Sequence, residues 1–192
     1  MSAATGSLLL FGAVQATMIG YGVWRGERLR KGQLAGVALA LTGLVVLMLP
    51  GLAAPSLTGS LSMVSAGVAW GVYSLRGKGA GDPTRVICGN FLRTVPMALI
   101  LSLLTVNQLS LDPAGLALVV LSGALASGLG YAIWYQALPA LKATDAATVQ
   151  LSVPVLAALG GIVFIGEALT VPMVLSSGAI LGGIVLVILK KN

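Results

Sequence analysis

Few side chains in this sequence could do chemistry, and it is their setting inside apolar stretches that makes them candidates. The 192 residues include no histidine and one cysteine, Cys88. A histidine-ligated metal, a histidine general base and an internal disulfide are therefore excluded. No carboxylate pair lies inside an apolar stretch, so the usual acid–base and nucleophile sets of an enzyme are missing. What remains is a scatter of polar groups within apolar runs: Gln15, Trp70, Tyr73, Asn90, Arg93, Tyr131 and Gln150, with Pro154 four residues after the last. No cofactor is implied, and no Gly-rich phosphate loop follows a strand.

Each candidate has two readings. Arg93 can snorkel its stem toward an interface, or face a water-filled cavity beside Asn90 and meet an anionic substrate group. Pro154 cannot donate a backbone hydrogen bond and its ring crowds the Gln150 carbonyl. The resulting kink either only curves the helix or frees polar groups for a substrate. Gln15 is a similar intramembrane amide in an earlier stretch. Gly123, Ser127, Tyr131 and Tyr135 recur every four residues, which a helix places on one face. The rings fit a pocket or an interfacial aromatic belt, with the belt favoured for Trp134 and Tyr135 and the pocket for the deeper Tyr131. Trp70 and Tyr73 carry the same choice. Asp82, Asp112 and Asp145 stand at loops or helix starts, where short carboxylates cap.

The elements that hold these residues follow from composition. Apolar residues make up 57% of the chain and charged residues 8%, against roughly a quarter charged in soluble domains. The mean hydropathy is +1.02. Lipid must be the solvent for most of this surface. Seven stretches reach the ~20 residues that a bilayer core requires: Ser7–Trp24, Gln33–Gly51, Leu57–Leu75, Val86–Val106, Ala114–Leu138, Ala146–Gly166 and Val171–Leu189. The fold class is an all-α transmembrane bundle of about seven spans. Stripes of small residues, Gly12/Ala16/Gly20, Gly32/Gly36/Ala40, Gly67/Gly71 and Gly178/Gly182, are expected to bring helices close together.

The net charge of +6 sits in alternate loops, which points to membrane orientation and not to nucleic acid. Arg25, Arg28, Arg30 and Lys31 follow the first stretch; Arg76, Lys78 and Arg85 follow the third; Lys142 follows the fifth; Lys190 and Lys191 follow the seventh. The intervening loops carry no Lys or Arg. By the positive-inside rule the basic loops and the C-terminus are cytoplasmic, in a multi-pass protein of the cytoplasmic (inner) membrane.

Two segments 140 residues apart are alike. Gly20, Gly26-Glu27 and Leu29 match Gly160, Gly166-Glu167 and Leu169, and the run from Gly43 matches the run from Gly183. Loop charge puts Glu27 and Glu167 on opposite membrane faces. The repeat is therefore inverted, a plan of secondary transporters with the substrate site between the repeats. Glu27 and Glu167 are read as structural or gating residues, with Glu27 ion-paired among its arginines.

The stretch from Ala137 to Gly161, followed by Gly166-Glu167-Ala168-Leu169, resembles the penultimate helix of EamA-type proteins of the drug/metabolite transporter superfamily. That resemblance implies two inverted five-helix repeats. Residues 1–52 are then the last two helices of a first repeat, 53–192 a complete second repeat, and three leading helices are lacking. The implied function is secondary transport or export of a small metabolite by alternating access. A non-transporting fragment or accessory subunit is the alternative. The expected partners are the lipid bilayer and a small-molecule substrate, with a homodimer or the missing helices completing the cavity.

Overall fold

The computed structural model describes residues 3–52, 54, 56–108 and 112–189. Lys190 and Lys191, which entered the loop-charge reading, lie outside the described residues. Every regular element among those described is helical. In order they are α1 (Ala3–Trp24), α2 (Lys31–Met48), α3 (Leu57–Gly77), α4 (Pro83–Leu104), α5 (Pro113–Val120), α6 (Gly130–Ala137), α7 (Ala143–Gln150), α8 (Ser152–Gly160) and α9 (Val171–Leu189). In a bilayer a helix satisfies its own backbone, which is why one element type suffices.

These helices stand where the seven stretches were expected. Among the described residues, six helical segments are both long and apolar enough to cross a membrane. The remaining helix, α3, has the length at 21 residues but is diluted by Ser60, Ser62, Ser65, Ser74, several glycines and Arg76. Two of the six are not single α-helices. A π-helical segment, Leu121–Leu129, joins α5 to α6. Another, Gly161–Ile165, extends α8. Gly123 and Ser127 sit in the first of these wider turns while Tyr131 and Tyr135 sit in α6, so spacing four does not carry all of them down one α-helical face.

The helix starts have local causes. Pro83 and Pro113 open α4 and α5, where a missing N–H leaves no bond unmade. Asp82 accepts from the Arg85 backbone N–H and Asp112 from that of Gly115, both at 2.7 Å. Both are the expected caps. Asp145 stands at a helix start as expected, in the first turn of α7, but the N-cap there is Lys142 and Asp145 is 1% exposed.

The chain divides into two compact units, residues 1–75 with 141–192 and residues 76–140. In the second, α4 packs on α6, and the Phe91 and Tyr131 rings meet edge to face at 6.4 Å. Tyr135 is buried, its ring filling the space beside Gly77, which departs from the belt reading. In the first unit the closest pair is α2 with α9. A Cβ built on Gly36 would lie 2.7 Å from the Gly183 carbonyl oxygen, and one on Gly43 would lie 2.8 Å from that of Ser176. Backbones approach this closely only through residues without side chains, and in lipid such packing supplies much of helix association. Gly67 and Gly71 of α3 are similarly pressed on α1 at Ala13 and Thr17. The stripes Gly12/Ala16/Gly20 and Gly178/Gly182 differ from expectation. A Cβ on any of their glycines would meet nothing within 4 Å among the described residues.

Candidate functional site

The break in the sixth span builds the site. The Leu151 N–H turns to the Thr148 carbonyl (3.0 Å) instead of that of Ala147, and the helix restarts at Ser152. Pro154 stands four residues after Gln150 and cannot donate to it. The side-chain amide of Gln15 on α1 donates to the Ala147 oxygen at 2.6 Å. A buried carbonyl released at the break thus finds a partner from another helix. This contact also settles which end of the Gln15 amide is nitrogen. Its Oε1 points the other way, is buried, and has no hydrogen-bond partner among the described residues.

One turn on, the Gln150 amide nitrogen meets the Ser74 hydroxyl of α3 at 3.1 Å, and the Gln150 Oε1 is likewise buried without a partner. Trp70, one turn before Ser74, packs its ring 5.7 Å from Phe11, one turn before Gln15. Its indole N–H is buried and unpartnered. Three helices therefore present two acceptors and one donor with no partner among the described residues around a single junction. Gln15 is 2% and Gln150 4% exposed. Leaving such groups unpaired costs about 1–3 kcal/mol each, so their retention calls for an explanation.

A cavity of about 740 Å³ lies beside this junction, lined by Ala4, Ser7 and Phe11 of α1, Val153, Pro154 and Ala157 of α8, the α2 end at Pro50, and Glu167. Ala4, Ser7 and Phe11 step along α1 one turn at a time toward Gln15. A second cleft, of about 570 Å³, is lined by Arg25, Glu27, Arg28, Arg30, Gln33 and Lys142.

The structure brings Gln15, Trp70, Gln150 and Pro154 together in the first unit, with Tyr73 half-buried on the same helix as Trp70. Asn90, Arg93 and Tyr131 belong to the second unit. Asn90 and Tyr131 are half-buried and Arg93 is exposed along its lipid-type apolar helix. Ser74 was not singled out by the sequence, and Asp145 was read only as a cap. A serine in a Gly- and Ser-rich helix carries no signal of its own, and Asp145 stands where a capping carboxylate would.

The two Gly-Glu pairs close their helices alike. Gly26 has φ +89° and Gly166 φ +73°. At the first, Gly26 N–H bonds Val23 O (2.9 Å) and Glu27 N–H bonds Gly22 O (2.8 Å), a Schellman closure. At the second, Glu167 N–H reaches Gly161 O at 3.2 Å, one residue further back because the π segment widens the turn. Gly26→Ala is expected to lower stability by roughly 1–2 kcal/mol, the cost of a Cβ in the left-handed region. Thermal unfolding in detergent checks this, with Gly20→Ala, in open space on the same helix, as the reference. The Glu27 carboxylate does not stay among its arginines alone. It accepts from Ala143 N–H (2.8 Å), Thr144 N–H (3.2 Å) and the Thr144 hydroxyl (2.9 Å) at the start of α7.

The EamA-like transporter family matches residues 57–189, from α3 through α9. The chain belongs to the EamA-like transporter family. It is a multi-pass membrane protein with the helical-bundle architecture of that family. An uncharacterized protein of Pseudomonas aeruginosa is 55% identical over 191 residues, covering 100% of this EamA-like chain and 67% of its own length. The threonine/homoserine exporter RhtA of Escherichia coli is 33% identical over 153 residues, 76% of this chain and 50% of the exporter. A solved crystal structure superposes with a TM-score of 0.84 over 97% of this chain and 67% of that one; at 23% identity it shows the fold. The EamA-like chain thus spans half to two thirds of the length of these relatives.

Proposed function

We propose that this EamA-like chain serves in a secondary exporter of small amino acids that works by alternating access, with the α1–α3–α7 junction as its substrate site. The observation that carries the reading is the pair of buried, unpartnered amide oxygens on Gln15 and Gln150. An ammonium group would satisfy both, and charge-assisted hydrogen bonds are about twice as strong as neutral ones. The Trp70 indole N–H supplies a donor for the carboxylate of the same molecule. The name of the RhtA relative, an exporter of threonine and homoserine, agrees with that chemistry.

The repeat belongs to the same proposal, with 1–52 closing a first repeat and 53–192 forming a second. Its support is reciprocity. Gly36 faces Gly183 and Gly43 faces Ser176, while Gly43 and Gly183, and likewise Gly36 and Ser176, are 140 residues apart. Contacts of this kind, in which i meets the copy of j and j the copy of i, belong to a two-fold axis. Inverted repeats around a midplane site are a common plan of secondary transporters.

The test is made in the native host, at the chromosomal gene. Deletion is expected to slow efflux of labelled threonine and homoserine severalfold and to sensitise cells to homoserine. Unchanged efflux of every amino acid tried, from cells shown to hold the protein in their membrane, would sink the reading.

A further inference from the structure

The start of α7 bears the junction described above, and its own N-cap, Lys142, supplies no side-chain bond. Its first N–H groups are held instead by Glu27, a residue 116 positions away. The hold is geometrically prepared. The left-handed Gly26 turns the chain back, and the bare face of Gly22 leaves room for the carboxylate: a Cβ there would lie 2.6 Å from Glu27 Oε2. An anion at a helix start is also favoured by the aligned peptide dipoles.

The other end of the unit carries the same parts 140 residues on. Glu167 follows the left-handed Gly166 and folds over the bare face of Gly161. Under that register the counterparts of Ala143 and Thr144 are Ala3 and Ala4, and the counterpart of Gln33 is Met173. Ala4, Met173 and Glu167 line the 740 Å³ cavity, and among the described residues the Glu167 carboxylate accepts no hydrogen bond from the α1 start. One end is clasped and its counterpart stands open.

We propose that Glu27 is a positioning residue that clasps the α7 start to close one end of the path, and that Glu167 is its counterpart, which clasps the α1 start when the other end closes. The two carboxylates exchange roles, and the structure holds the state in which Glu27 is engaged. This goes beyond the choice of substrate. It rests on the inverted-repeat reading, but its test needs no transported molecule.

The experiment is sided cysteine labelling with a membrane-impermeant maleimide, in native membrane vesicles of both orientations, on a Cys88→Ser background. Ser7→Cys reports the open cavity and Ala146→Cys, 2% exposed in the parent, the clasped end. In the parent, Ser7→Cys is expected to label and Ala146→Cys to stay protected. Glu27→Gln is expected to raise labelling of Ala146→Cys from the opposite face and to lower that of Ser7→Cys. The expected change is about tenfold, within the usual 5–150-fold range of conformational coupling. Gly22→Ala, which displaces the carboxylate and keeps its charge, should do the same, so the result does not hang on one variant. Adding Glu167→Gln to Glu27→Gln should return both rates toward the parent. Unchanged labelling in membrane-inserted Glu27→Gln overturns the proposal. So does a rise at both positions together, which is what simple loosening gives, and so does a double variant with no return. Failure of amino-acid efflux with the labelling pattern intact would count against the substrate alone.

Discussion

Gly183→Ile is expected to destabilise the protein by about 3 kcal/mol or more, summing backbone collision and overpacking at a site with no room to relax. A Cβ on Gly183 would lie 2.5 Å from the Gly36 carbonyl oxygen, 2.7 Å from the Ala40 nitrogen and 2.8 Å from the Ala40 Cβ. The first two are backbone atoms of a helix and cannot swing aside. The helices would have to separate, and with them Ala40, Leu44, Ile180 and Val187, which are all between 0% and 1% exposed. Lipid tails are as apolar as these side chains, so no hydrophobic term restores what the lost contacts supplied. For a chain of this size about 3 kcal/mol corresponds to a fall of roughly 6–12 °C in Tm. The adjacent residue is the control. Gly182 meets nothing within 4 Å, and Gly182→Ala should be neutral or stabilising by up to ~1 kcal/mol through helix propensity. Equal effects at the two positions, measured by thermal unfolding in one detergent, would mean that the α2–α9 approach does not hold the unit together.

That pair of neighbours also shows what was legible in the sequence. Span positions followed from hydropathy because lipid admits little else, and the 140-residue repeat placed the two Gly-Glu pairs in equivalent turns. Which glycine faces a helix was not legible. Gly36 and Gly178 look alike as members of small-residue stripes, and only the rotation of each helix decides which is pressed on a backbone. The π segments were hidden for a related reason, since one inserted residue shifts the register without changing composition. The site was half legible. Gln15, Trp70, Gln150 and Pro154 stood out as costly groups in apolar runs. Ser74 did not, because serine commonly bonds its own helix backbone and so raises no alarm in a span. Glu27 was marked by its repeat but given to its arginines, because sequence neighbours were visible and the α7 start, 116 residues on, was not.

Replacing Gln15 and Gln150 by leucine separates a structural from a ligand role for the junction. Gln15→Leu removes the bond to Ala147 O, which the broken helix does not itself satisfy. Some loss of folded protein is therefore expected, about 1–3 kcal/mol for an orphaned buried acceptor. Gln150→Leu removes the bond to the Ser74 hydroxyl and orphans no backbone carbonyl, so it should cost less. Efflux per folded molecule tells more. If each Oε1 receives a substrate N–H, each substitution removes a hydrogen bond to a charged group, about 1.5–3 kcal/mol, or roughly 10–150-fold in transport efficiency. The double variant should fall short of the product of the singles, because two acceptors on one ammonium are coupled. A hydroxy acid of the same size, which lacks the ammonium, should lose little in any variant. If both substrates lose transport equally, or the two losses simply multiply, the amides hold helices together and do not hold the substrate. The expected pattern instead binds the helix break, the free oxygens and an ammonium ligand into one device: Pro154 and Leu151 interrupt the helix, Gln15 takes up the carbonyl this releases, and the oxygens left over are what the substrate meets.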